Sequence, residues 1–232
     1  VGRESGGAFD IGVGDAVNAW GFGPTGDAPD AQHIRALGQR PRRAAHEVLE
    51  LDPAQQRLRK HSAVVLDLSG IAKGYGVDRL AETAAQLGIP QALCAIDGEV
   101  RAIGTRRSGR PWAVGIDMPD DKATGQHSTL ALEDMAVATS GDYRHFVTVA
   151  ATRLSHTIDP RRGAPLVTPP ASVTVLSHSC MLADAMATAL MVMGDGPGSS
   201  FAKAHAISAL FLRRSLGGTV AIGTGDFAAT SE

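Results

Sequence analysis

Asp184 and Thr188 stand four residues apart in "LADAMATALMVMG", Leu182–Gly194, a stretch that is otherwise apolar. On a helix they share one face, a turn apart, and a carboxylate in an apolar wall is costly unless its charge is compensated. The pair offers oxygen only, with no Cys or His at ligand spacing. Oxygen donors suit Mg2+ or Ca2+ rather than zinc, and Mg2+ keeps water and substrate phosphate in its remaining positions. An aspartate stabilised by the helix dipole, with Thr188 bonded back to a carbonyl, explains the same residues without a metal.

Three more segments carry groups that could do chemistry. "LDLSGIAKGYGVD", Leu66–Asp78, reads as strand, glycine turn and helix, which leaves N–H groups free to hold phosphate, with Lys73 in the first turn. It lacks the P-loop spacing, and no G-x-G-x-x-G opens a helix. "TSGDYRHF", Thr139–Phe146, puts Ser140 in a Ser-Gly turn after an apolar strand, without the G-x-S-x-G context of a nucleophilic serine. "SHTIDPRRGAP", Ser155–Pro165, gathers His156, Asp159 and Arg161 in a turn-forming loop. His33, His46, His61, His127, His145, His178 and His205 have no such company and read as structural.

The elements that must position these residues follow from periodicity. "DAQHIRALGQR" is a short helix ending near Gly38, and "GIAKGYGVDRLAETAAQLG" is the strongest helix of the first half, with Ile71, Val77, Leu80, Ala84 and Leu87 on one stripe. "AHEVLELD" and "HSAVVLDLS" read as strands, followed by "ALCAI", "VRAIG", "PWAVGI", "STLALE" and "MAVATS". "ASVTVLS" is a strand that runs into the helix beginning near Cys180, and "SALFLRR" and "GTVAIG" are strands too. Helices and hairpins mix without strict βαβ alternation, so the fold class is α+β.

Composition bounds the rest. The 232 residues, 44% hydrophobic, support a sizeable core in a single domain. A net charge of 22 − 24 = −2, with only short patches such as Arg40–Arg43 and Arg106–Arg110, argues against a nucleic-acid partner. No run of 18 apolar residues spans a membrane. Cys94 and Cys180 sit among apolar neighbours and read as two buried thiols. The chain opens on "VGRESGGAFD", without Met or a secretory pattern, which reads as a fragment or a processed form.

The order of the motifs adds a resemblance. "GGAFDIGVGDAVNAWGFG", "LDLSGIAKGYGVDRLAE", "IDGEVRAIGT…GRPWAVGI", "ATSGDYRHF", "HTIDPRRGAP" and "SVTVLS…ADAMATALMVMG" resemble, in that order, the ApbE family of FAD:protein FMN transferases. The resemblance runs from about Gly6 to Gly194 and implies a mixed fold of antiparallel sheets and packed helices. It implies an enzyme that takes FAD, uses Mg2+ at the pyrophosphate, and attaches FMN to a Ser or Thr hydroxyl of an acceptor protein, releasing AMP. Asp184 and Thr188 match its metal-ligand positions, and Gly70 the position whose carbonyl joins them. Ala8, Phe9 and Asp10 match a flavin-contact motif, Asp67 and Lys73 match FAD contacts, and Ser140 falls in a further nucleotide-binding motif. His156 matches the histidine of H-x-I-D-P, the candidate base, and Thr157 or Ile158 falls at a further FAD contact. Lys73 or the arginines near Arg161 would ease leaving-group charge.

The same residues serve two other readings: an FAD pyrophosphatase that passes the phosphoryl group to water, and a flavin-binding protein without turnover. The family carries a segment before A-F-D that this sequence lacks, and Arg162 and Ala164 stand where it commonly has Thr and Tyr. Aromatic residues make up 4%, leaving Phe9, Trp20 and Tyr143 as stacking candidates that serve a core equally well. The resemblance places the protein in the periplasm or anchored on the outer side of the inner membrane. No residue of the chain selects against the cytoplasm.

Overall fold

A computed structural model describes residues 1–26, 28–39, 41–119, 125–142, 146–149 and 152–230. The chain divides into two compact units, residues 1–68 with 145–168 and residues 69–144 with 169–232.

The first unit opens with a loop and a 3-10 turn, Ile11–Val13, leading into α1 (Gly14–Ala19). Asp30 caps α2 (Ala31–Gly38), accepting from the N–H groups of Gln32 and His33. The segment read as the strand "AHEVLELD" is split: α3 (Ala45–Val48) is a single helical turn, and only β1 (Leu49–Asp52) is extended, paired with β2 (Arg57–Lys60). "HSAVVLDLS" is not a strand; residues 63–68 lack regular structure.

The second unit begins with α4 (Ala72–Gln86) and a hairpin of β3 (Ala92–Ile96) and β4 (Glu99–Ile103). A second hairpin, β5 (Trp112–Asp117) with β6 (Gln126–Leu132), precedes β7 (Ala136–Gly141). The chain then returns to the first unit for β8 (Phe146–Val149) paired with β9 (Thr152–Ser155), and for the two-residue ladder of β10 (Ile158–Asp159) with β11 (Ala164–Pro165). Val13, Ala16 and Ile158 form the core of that unit, with Trp20 packed on it and its indole N–H donating to the Gly163 carbonyl at 3.0 Å.

β12 (Ser172–Ser177), α5 (Cys180–Met193), α6 (Asp195–Ala204), β13 (Ala209–Ser215) and β14 (Gly218–Thr224) complete the second unit, ahead of a terminal 3-10 turn. Its centre is an antiparallel six-stranded sheet ordered β14-β13-β12-β7-β4-β3. Alternation along β7 assigns its two faces. Ala136 packs against Val77 of α4 and Cys180 of α5, while Val137 packs with Val100, Ala102 and Leu132 under the β5–β6 hairpin. α5 is buried along most of its length, as an almost wholly apolar helix must be.

Two expectations shift here. α4 buries Gly74, Val77, Asp78 and Ala81, whereas Leu80 and Leu87 of the expected stripe are exposed. Ser140 lies within β7, opposite Val173 of β12, not in a turn. Both thiols are free, Cys180 buried and Cys94 partly so, and burial pushes the Cys180 thiol up to about 12. Among the described residues, no helix is long and apolar enough to cross a membrane.

Candidate active site

α5 presents Asp184 to the N-terminus of α4, and glycine makes that approach close. A Cβ on Gly74 would stand 2.8 Å from Asp184 Cβ and 2.7 Å from the Cys180 carbonyl carbon, nearer than real side chains come. With glycine there, the Gly74 N–H donates to Asp184 Oδ2 at 3.0 Å. Asp184 is 4% exposed, and burial raises its pKa against the pull of the Gly74 N–H and the Lys73 charge. One turn along α5, Thr188 Oγ1 meets Ser140 Oγ at 3.2 Å, which brings two of the residues named from sequence onto one helix–strand contact.

A second carboxylate lies in the same unit. Glu99 follows the two-residue turn Asp97-Gly98, whose φ angles of 45° and 106° mark the primed hairpin turn that Asp-Gly favours. Its Oε1 takes Lys73 Nζ at 3.0 Å, while Oε2 is buried with no hydrogen-bond partner among the described residues. Burial raises the Glu99 pKa; Lys73 opposes the shift and the Asp184 charge adds to it. Two buried carboxylates therefore share a single lysine.

The start of α5 is held by a third acid. Asp78 Oδ1 accepts from the Cys180 N–H at 2.9 Å and from Arg101 at 2.7 Å, and Oδ2 from Ser179 Oγ at 2.8 Å and the Met181 N–H at 3.1 Å. Burial works against ionisation of Asp78, but the Met181 and Cys180 N–H groups, Ser179 and Arg101 outweigh it and hold the pKa below the usual carboxylate range. Ser179 adds a conventional cap, accepting from the Leu182 N–H.

In the first unit, the Ala8–Asp10 and His156–Arg161 segments come together. Gly7, Asp10, Arg42, Pro160 and Arg161 share the lining of a cavity of about 340 Å³. Asp10 is committed to backbone: its carboxylate accepts from the N–H groups of Gly12 and Ala45, tying the loop to α3. Ala8 is fully buried, Phe9 is partly so, and Asp67 donates its N–H to the Ile11 carbonyl. His156 stands edge-on to Phe22, with ring centroids 6.4 Å apart. Thr157 and Ile158 are buried, Ile158 in the core. Gly70 lies in the turn before α4, in the second unit with Lys73, Ser140, Asp184 and Thr188. Tyr143 and His145 fall outside the described residues.

Asp78, Glu99 and Gly74 escape a reading by motif. Glu99 had one available signal: it is the acid just after an Asp-Gly turn, opening an otherwise apolar strand apart from Arg101. The donor set fits a hard cation: the buried Asp184 carboxylate and the Thr188 hydroxyl one turn along offer oxygen alone, and the two buried acids Asp184 and Glu99 have one lysine between them. No group of three His, Cys, Asp or Glu side chains forms a metal cage among the described residues.

A sequence model of the ApbE family matches residues 1–211. The chain belongs to that family. Among curated relatives, the ApbE chain is 40% identical over 210 residues to an FAD:protein FMN transferase of Vibrio cholerae, covering 89% of this chain and 61% of that protein. It is 34% identical over 220 residues to the FAD:protein FMN transferase of Haemophilus influenzae, covering 92% of this chain and 63% of that one. The chain thus spans about three fifths of these relatives. Among solved structures, the apo flavinyl transferase ApbE of Pseudomonas stutzeri superimposes with a TM-score of 0.84 at 36% identity, over 99% of this chain and 71% of that one. The α+β architecture is that of these ApbE structures.

Proposed function

We propose that this ApbE chain transfers FMN from FAD to a Ser or Thr hydroxyl of an acceptor protein, releasing AMP. The observation that carries the proposal is a buried Asp184, one helical turn from Thr188, on a helix that lies within the residues the ApbE family model matches. Asp184 Oδ1, Thr188 Oγ1 and the Gly70 carbonyl would hold Mg2+. When bound, that ion would neutralise the charge of the diphosphate, a dominant requirement of phosphoryl transfer.

The protein's own groups supply the rest. The acceptor oxygen forms a bond to the phosphorus on the FMN side, the bond to the AMP oxygen breaks, and AMP leaves as the anion. His156 takes the acceptor proton, and Lys73 meets charge on the diphosphate. Asp10, Pro160 and Arg161, from the two loops that carry the flavin-contact positions, line one cavity, which supports flavin contacts in that unit.

Mass spectrometry of a Ser/Thr acceptor peptide, incubated with the chain, FAD and Mg2+, tests the proposal. A peptide heavier by FMN, with AMP released, is expected. Asp184→Ala should lower the rate by about 100-fold or more, and His156→Ala by about 100-fold. Free FMN without a labelled peptide would indicate a pyrophosphatase, and intact FAD a binder; either result overturns the proposal.

A further inference from the structure

Glu99 is fixed more firmly than its role as a lysine partner requires. The Asp97-Gly98 turn sets where β4 starts, and Ile96 faces Glu99 across the ladder. The side chain is 2% exposed; Oε1 is 3.0 Å from Lys73 Nζ, and Oε2 is buried without a donor among the described residues. As a stabilising device this is poor, because an unmatched buried carboxylate oxygen costs free energy and a buried ion pair rarely outperforms an apolar one.

The arrangement does, however, immobilise an ammonium. The Lys73 side chain is 39% exposed while the carboxylate that holds it is buried, so the counter-ion lies on the protein side and the cation toward solvent. Asp97 Oδ2, 3.8 Å away, flanks the same nitrogen. A free lysine side chain loses much rotamer freedom when it grips an anion, and a fixed counter-ion removes that loss beforehand. Lys73 immediately precedes Gly74, whose N–H donates to Asp184 Oδ2 at 3.0 Å, so the lysine and that acid meet at one turn of α4.

We propose that Glu99 is a positioning residue that pins the Lys73 ammonium beside Asp184, so that it meets the diphosphate of a dinucleotide substrate. This rests on reading the site as one for phosphoryl transfer from a dinucleotide. Glu99 itself touches no substrate; it acts through Lys73. Removing its charge leaves Lys73 cationic but loose, so the loss appears in anion binding and depends on Lys73 being present.

Calorimetric titration of inorganic pyrophosphate with Mg2+ into the full chain tests this, alongside FMN transfer, in wild type, Glu99→Gln, Lys73→Met and the double variant. Glu99→Gln should weaken pyrophosphate binding about tenfold or more and raise KM for FAD more than it lowers kcat. In the Lys73→Met background it should add nothing. Glu99→Asp, which keeps the charge but withdraws it by one methylene, should fall between wild type and Glu99→Gln, and thermal unfolding checks that each variant is folded. Wild-type affinity in Glu99→Gln, an equal loss in the Lys73→Met background, or no binding of pyrophosphate by wild type would overturn the proposal. Coupled pyrophosphate binding without FMN transfer would instead contradict the transferase reading and leave the pinning intact.

Discussion

Asp184 is the residue on which the site turns, and its environment gives it a testable pH signature. The folded protein raises the pKa of Asp184 and of Glu99, chiefly through burial, so both favour the protonated form on folding. Stability from such groups is fully present below the unfolded value of about 4 and is lost as pH rises through the raised folded value. In the metal-free protein, ionising these acids as pH rises therefore costs stability. Asp184→Asn keeps an acceptor for the Gly74 N–H and removes one charge, so in chelator it should raise the unfolding temperature at neutral pH more than at about pH 4. It should also abolish stabilisation by Mg2+. Unfolding curves with and without Mg2+ at the two pH values check this. At this scale the sequence was informative where one acid interrupts an apolar helix, as Asp184 does. For Glu99 it offers only the position after an Asp-Gly turn, because the role of that acid depends on Lys73 being folded against it from another element.

At the scale of elements, α5 is aimed by α4. Asp78 receives two backbone N–H groups, Ser179 Oγ and Arg101, so a side chain from one helix closes the N-terminus of the other. Asp78→Asn removes the charge that these donors stabilise and should cost about 3 kcal/mol. The unfolding temperature should then fall by roughly 10 °C. The sign with pH is opposite to that of Asp184: the lowered pKa of Asp78 contributes stability above the unfolded value that is lost as pH falls through the folded one. The deficit of Asp78→Asn, measured by thermal unfolding, should thus shrink in acid.

Periodicity located α4, α5 and the strands of the central sheet, because their apolar spacing survives in one-dimensional form. It failed where two periods fit equally well. Ala45 and Val48, three apart, complete a helical turn, yet with Leu49 and Leu51 they resemble a strand. α6 has no signal in the sequence because "DGPGSS" has the composition of a turn; a Cβ added at Gly198 would stand 3.0 Å from Phe211 Cε1. Hydropathy alone places Leu80 and Leu87 on a buried stripe, whereas the face of α4 that is buried carries Gly74, Val77, Asp78 and Ala81.

For the whole molecule, family membership follows from a match across residues 1–211, which include both compact units. The first unit carries the Ala8–Asp10 and His156–Ile158 segments, and the second carries the acids, Lys73 and Thr188. The proposed chemistry requires a hard cation at Asp184 and Thr188. The most direct measurement is calorimetric titration of Mg2+ into the metal-free chain in the presence of FAD, for wild type and Asp184→Ala. Saturable heat from a single site in wild type, absent from Asp184→Ala, is the predicted result. Equal heats from both proteins, or none from folded wild type, would contradict it.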